Sequence, residues 1–200
     1  MFSQEQGEKA VEIARNTLEN FLRDGEEPDL DEELSEQMEE ERGVFVTLQK
    51  NDDLRGCIGR PMPRQPFIEG LVNSAINAAT RDPRFPEVSP EELEDITIEV
   101  SMLTVPEEVE VDDPKKYLEK IEVGRDGLIV KYGGSEGLLL PQVPVDNNWE
   151  SEEFLSQTCV KAGLSSDAWI KEDISLEKFS AQVFKEEEPS GEVVEEELSA

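Results

Sequence analysis

The chain has 200 residues, 36% of them hydrophobic, and carries 49 acidic against 19 basic residues with no histidine, for a formal net charge of −30. That length and apolar content suffice for one domain of ordinary size with a sizeable core, which excludes a chain disordered throughout. Two cysteines without metal-ligand spacing exclude a disulfide framework and a zinc site, and no apolar run is long enough to cross a bilayer.

The anionic surplus is spread along the whole chain. It fits either an acidic partner-binding protein or a cytosolic protein of a molar-salt cell, where the Debye length is about 3 Å and self-repulsion is screened. The second reading is favoured. Met1 to Lys9 lack the apolar core of a secretory signal, so the expected location is the cytoplasm, without a membrane.

Ser3 caps a predicted helix that runs to Asp24, with Val11, Ala14, Leu18 and Phe21 at three- and four-residue steps and Gly25 as its stop. Residues 24–41 hold eleven acids and no base, and Leu30, Leu34 and Met38 give them the thin apolar stripe of a second, solvated helix. Val44, Val46 and Leu48 alternate with Phe45 and Thr47. Asn51-Asp52-Asp53 then turns the chain into a strand over Leu54 to Ile58. Residues 66–80 repeat apolar side chains at helical spacing, and Ser89, Pro90 and Glu92 start a short turn. Ile96, Ile98, Val100 and Met102 mark an alternating strand.

Downstream, Asp126-Gly127 between Ile121-Glu122-Val123 and Leu128-Ile129-Val130 predicts a tight hairpin turn, and Leu138-Leu139-Leu140 a further strand. Glu150 to Ala162 reads as a helix ending at Gly163, and 174–184 as a closing strand. From Glu186 onward, seven acids in fifteen residues with Pro189 and Gly191 predict a disordered acidic tail over 186–200. Alternating strands joined by hairpins favour antiparallel pairing. The expected fold class is therefore α+β, a mainly antiparallel sheet flanked by helices.

Residues 55–84 stand apart. They hold Arg55, Arg60, Arg64, Arg81 and Arg84 against Glu69 and Asp82, a net +3 (5 − 2) in a strongly anionic chain. Such a cluster raises local affinity for anions. A strand over Leu54-Arg55-Gly56-Cys57-Ile58-Gly59 projects Arg55 and Cys57 to one face and Leu54 and Ile58 to the other, the expected core side. A guanidinium beside the thiol would favour the thiolate. Against that, a buried cysteine more often acts as a small hydrophobe, and without histidine a nucleophile lacks its commonest base.

Gly56 and Gly59 permit close approach of the backbone to a ligand. Asn73, Asn77 and Arg81, four apart, give one helix face an uncharged polar character, either a hydrogen-bond network or a ligand-facing wall. Arg81 and Arg84 bracket Asp82-Pro83, and one of them can orient the loop through bidentate bonds to the carboxylate. At least one guanidinium is expected to remain unpaired and to face a cleft.

These residues also carry a resemblance. Leu54-Arg55-Gly56-Cys57-Ile58-Gly59, Ala78-Ala79-Thr80-Arg81-Asp82-Pro83-Arg84-Phe85-Pro86, Val100-Ser101-Met102-Leu103-Thr104, Gly124-Arg125-Asp126-Gly127-Leu128 and Leu139-Leu140-Pro141-Gln142-Val143-Pro144 resemble, in order, the signature blocks of the AMMECR domain family. The resemblance covers roughly residues 5 to 185 and gives a domain over 1–185. It implies an α+β fold with two unequal lobes and an unassigned activity. It also implies a place as protein A of the AmmeMemoRadiSam set, with Memo-like and radical-SAM proteins as partners in a modification pathway.

The leading functional expectation is an accessory protein that binds an anionic small molecule, nucleotide or modified polymer. Arg55, Gly56, Gly59, Asn73, Asn77, Arg81 and Arg84 form its ligand site. An enzyme using Cys57 as thiolate nucleophile or redox carrier, activated by Arg55, is the alternative. Nucleic-acid binding is weaker, because the net charge repels a phosphate backbone and aromatic residues are few. The residues name no cofactor and no metal.

Overall fold

The computed structural model describes residues 2–26, 28 and 38–196, which divide into two units, the first running to Val105 and taking in Gln182–Glu196, the second Pro106–Ala181. In the first unit, helix α1 (Gln4–Asp24) starts at Ser3, whose side chain accepts the Gln6 N–H while the Gln6 side chain answers the Ser3 N–H. It stops at Gly25, whose φ of 73° suits a residue without Cβ. Strands β1 (Val44–Lys50) and β2 (Asp53–Arg60) form a hairpin around Asn51 and Asp52, at φ 53° and 65°, the left-handed pair that a tight type I′ turn requires.

Helix α2 (Phe67–Thr80) follows, then a 3-10 turn (Glu92–Asp95) and β3 (Ile96–Leu103). Val44, Val46 and Leu48 of β1 and Ile96, Ile98 and Val100 of β3 are fully buried with Leu18 of α1 and Leu71 and Ala75 of α2. Each large aliphatic so buried adds about 1.5–3 kcal/mol over its exposed state.

Strand β7 (Ser175–Glu186) gives its last five residues to this unit, where β8 (Val193–Glu196) pairs with it antiparallel. The strand order here is β2-β1-β3-β7, which leaves β2 at the edge.

The acidic tail expected from Glu186 is corrected over 186–196. Glu186 is only 5% exposed and grips Arg15 through Nε at 3.0 Å and through a second, shorter contact. It also accepts the Ile98 N–H at 2.9 Å. Composition misleads because one carboxylate is neutralised inside the core and Val193 and Val194 lie on a strand. Of the predicted second acidic helix, Leu30 and Leu34 lie outside the described residues, and Met38 is buried.

In the second unit, β5 (Asp126–Tyr132) pairs antiparallel with β6 (Ser135–Leu139) and with β7, and β4 (Glu107–Glu108) also lies on β7. Helices α3 (Gln142–Asp146), α4 (Ser151–Lys161) and α5 (Ala168–Lys171) complete it. Leu128, Phe154, Leu155, Cys159 and Leu176 form its core, each 0% exposed.

The hairpin predicted at Asp126-Gly127 is displaced. Asp126 is buried inside β5, held by the Arg125 guanidinium and the Glu122 N–H, and the hairpin turn is Gly133-Gly134 at φ 56° and 87°. Neither Asp126 nor Gly127 adopts the positive φ that a tight Asp-Gly hairpin turn requires. The α+β class, with its antiparallel sheet flanked by helices, is the class observed.

Candidate functional site

The register of β2 against β1 slips by one residue between Leu48 and Gln49, so that Leu48 faces Gly56 and Gln49 faces Leu54, with Arg55 as the extra residue of a bulge. Directly opposed residues share a face. Gly56 and Ile58 therefore turn to the helix-covered side with Leu48 and Val46, while Leu54, Cys57 and Gly59 share the other side with Gln49, Thr47 and Phe45. Leu54, expected in the core with Ile58, is 41% exposed; the bulge is what flips it.

Both glycines expected to admit a ligand are filled by the protein itself. A Cβ on Gly56 would lie 2.2 Å from the Ala78 carbonyl oxygen of α2, and one on Gly59 would lie 2.3 Å from the Phe45 ring. They let a helix and an aromatic ring pack closely.

Arg55 is half-buried and forms a two-pronged pair with Glu92, Nε and Nη2 each at 2.9 Å from a carboxylate oxygen, over the Phe85 ring. Those bonds hold the Glu92 carboxyl below its ordinary range. Nη1 of Arg55 is buried without a hydrogen-bond partner among the described residues. Arg55 is thus a clamp on the turn before β3, and the expected activation of Cys57 by Arg55 gives way.

Asp82 and Arg84 close the edge of β2. The Cys57 N–H donates to Asp82 Oδ2 at 2.9 Å, and Arg84 Nη2 donates to the Cys57 carbonyl at 3.3 Å. Arg84 also donates from Nε (2.9 Å) and Nη2 (2.7 Å) to the same carboxylate, completing a latch that satisfies both backbone groups of Cys57. The guanidinium of Arg84 holds the buried Asp82 carboxyl far below the ordinary carboxylate range.

The remaining expected site residues scatter. Asn73 is exposed and donates to the Glu69 carbonyl of its own helix at 2.8 Å. The half-buried Asn77 side chain makes no hydrogen bond among the described residues, so no Asn73–Asn77–Arg81 network forms. Arg60, Arg64 and Arg81 are exposed, and no carboxylate among the described residues pairs with them. Two surface concavities belong to the second unit, around Tyr132 and Gly133 and around Glu110 and Lys116, and include no residue of the arginine segment.

What the structure does gather around Cys57 is a row of polar side chains across three strands. Cys57 faces Thr47, and Thr47 faces Glu99 on its other side. The Thr47 hydroxyl donates to Cys57 Sγ at 3.4 Å. Burial pushes the half-buried Cys57 thiol up, and the Thr47 bond only partly offsets it; the resting form at neutral pH is the thiol. Burial likewise pushes Glu99 up, reinforced by Glu196 and opposed by Lys185. Thr47, Asp82 and Glu99 were missed as site residues. The alternation of β1 and β3 put Thr47 and Glu99 on outward faces, but the register that brings them to Cys57 is set by tertiary pairing.

The model of the AMMECR1 family matches residues 11–184. The chain belongs to the AMMECR1 family. Protein MK0488 of Methanopyrus kandleri is 51% identical over 198 residues, 98% of this chain and 95% of that protein. Protein MJ0810 of Methanocaldococcus jannaschii is 51% identical over 97% and 96% of the two chains. The crystal structure of the uncharacterised protein PH0010 from Pyrococcus horikoshii superposes with a TM-score of 0.89 at 45% identity, covering 98% of both chains. The AMMECR1 fold is thereby established for this chain. Among the described residues, no helix is long and apolar enough to cross a membrane, and no group of three or more His, Cys, Asp or Glu side chains could hold a metal ion.

Proposed function

We propose that this AMMECR1-family protein is an accessory binding protein that takes up an anionic ligand, a small molecule, nucleotide or modified polymer, on the first unit around β2 and the C-terminal end of α2. The observation that carries the reading is the state of its cations. In a chain of 49 acids and 19 bases, Arg60, Arg64 and Arg81 keep their guanidinium groups free of every described carboxylate. A cation left unneutralised in so anionic a field is a ready partner for an incoming anion. Arg81 is the residue of first interest, because its neighbour Asp82 holds the Cys57 backbone. Arg55 and Arg84 serve the scaffold in this reading.

The accessory role keeps the place the family resemblance implies, beside Memo-like and radical-SAM partners in the cytoplasm. The acidic surplus is read as adaptation to molar salt. Native mass spectrometry of freshly isolated protein tests the binding role: a stoichiometric added mass that titration with inorganic phosphate or a nucleoside phosphate displaces, and that Arg81→Ala loses, is expected. A bare chain mass together with no response to either anion overturns it.

A further inference from the structure

The second unit carries an outermost strand with none of the protection seen on β2. On β2 the register bulges at Arg55, the Cys57 backbone is latched by Asp82 and Arg84, and Pro61 follows the strand. Strand β6 pairs with β5 in unbroken register from Tyr132 opposite Ser135 to Leu128 opposite Leu139, and contains no proline. No second strand lies on its far side among the described residues. The two-residue Gly133-Gly134 turn makes Tyr132 and Ser135 a hydrogen-bonded pair, so Ser135, Gly137 and Leu139 direct their backbone groups to β5. The N–H and C=O groups of Glu136 and Leu138 therefore point away from it. No hydrogen bond among the described residues ends on these backbone groups.

The two faces of β6 differ. On one, a Cβ at Gly137 would meet the Ala162 nitrogen, just past α4, at 2.2 Å, so that face is covered. Glu136 and Leu138 project to the other face, where Lys131 stands opposite Glu136 and Ser175 opposite Lys131. Those three residues, with Tyr132 and Asp173, line a surface concavity of about 490 Å³ at the hairpin turn. Its one cation is already committed, with Lys131 Nζ 2.6 Å from Glu177, and the Tyr132 hydroxyl donates to Glu172 at 2.8 Å. The exposed carboxylates of Glu136 and Asp173 have no ion pair among the described residues.

We propose that the outer edge of β6 docks an extended basic segment of a partner protein as an added antiparallel strand. Directly opposed residues of an antiparallel pair project to the same face, so the partner residue opposite Glu136 sends its side chain over the concavity. A lysine or arginine there meets Glu136 and Asp173 and supplies the charge that the concavity lacks. The partner residue opposite Leu138 comes two positions earlier and lands beside that leucine, where an aliphatic side chain fits. The segment selected by the edge thus reads aliphatic-x-basic, the backbone bonds giving affinity and the two alternate side chains giving the choice. A net charge of −30 draws such a segment in. A second copy of this chain repels at long range, and its own β6 would bring Glu136 and no cation to the concavity. The inference is independent of the anion-binding reading on the first unit.

Amide NMR on the isotope-labelled full chain in molar KCl, titrated with the peptide Thr-Thr-Val-Thr-Lys-Thr-Thr capped at both ends, tests the docking. Salt at that level screens diffuse attraction and leaves direct pairing. A saturable shift of the Glu136 and Leu138 amides is expected, with affinity falling about tenfold or more when glutamate replaces the peptide lysine. Methylating the peptide nitrogens of valine and lysine, whose N–H groups face β6, abolishes binding. Methylating the threonine between them does not. Leu138→Pro removes an outward donor without touching the ladder to β5 and is expected to lose the peptide, while Glu136→Gln narrows the preference for lysine over glutamate.

The methylated peptides use the unaltered protein, so the test survives a variant that folds poorly. Binding that persists with both valine and lysine methylated is attraction to the anionic surface at large and overturns the proposal. The absence of any saturable shift at Glu136 and Leu138 overturns it as well. Sedimentation of the protein alone covers the other occupant: a doubled mass that Leu138→Pro returns to the monomer assigns the edge to a second copy and sinks the peptide reading.

Discussion

Replacing Asp82 by alanine removes the centre of the latch on β2, and its cost can be worked from the four hydrogen bonds that end on this carboxylate. The Cys57 N–H loses its acceptor at 2.9 Å beside a carboxylate only 2% exposed, an unsatisfied buried donor that costs about 1–3 kcal/mol. The two side-chain bonds from Arg84 add less than their number suggests. Its guanidinium is 53% exposed and returns to water, so that part is discounted to about 1 kcal/mol or below.

The expected loss is about 2–3 kcal/mol at pH 7, read from urea midpoints at fixed KCl. Asp82→Asn, which keeps one acceptor, should lose about half as much. Because the Asp82 carboxyl is held below its unfolded value, its contribution is complete above about pH 4 and is lost as pH falls toward the folded value. Parent and Asp82→Ala stabilities should therefore converge in acid. Amide exchange at Cys57 should accelerate in the variant as well. A destabilisation below about 0.5 kcal/mol, with Cys57 exchange unchanged, would refute the view that this ion pair holds the strand edge.

Three further outcomes follow from the same geometry. Glu186→Ala leaves Arg15 as an uncompensated charge at 6% exposure, and denaturant unfolding should show a loss of about 3–5 kcal/mol; a loss under 1 kcal/mol contradicts the buried pair. Gly56→Ala drives a methyl group to 2.2 Å from the Ala78 carbonyl, and α2 must shift at a cost of about 1–3 kcal/mol; a neutral substitution in a melting experiment would contradict that packing. With a net charge of −30, circular dichroism should report loss of structure in dilute buffer and its recovery in molar KCl, and a fold indifferent to salt would remove the reading of salt adaptation.

The elements were legible wherever a local signal set them. Ser3 and Gly25 delimit α1, Asn51-Asp52 turns the first hairpin, and period two marks β3. The site was legible as a stretch of chain and much less as an arrangement. Spacing alone put Leu54 with Ile58, because a bulge at Arg55 leaves no trace in residue pattern. It offered Gly56 and Gly59 to a ligand because nothing in the order of residues says that Ala78 and Phe45 already occupy that space. Glu186 reads as one acid among seven near the terminus, and its pairing with Arg15, 171 positions away, is a property of the folded chain.

An outermost strand presents unused backbone donors and acceptors to any passing chain, and stacking of such edges is a common route to aggregates. In this molecule the midpoint of that border is already spoken for by a carboxylate and a guanidinium that mimic a neighbouring strand. The Cys57 peptide is thereby left with no free donor or acceptor to offer an incoming strand.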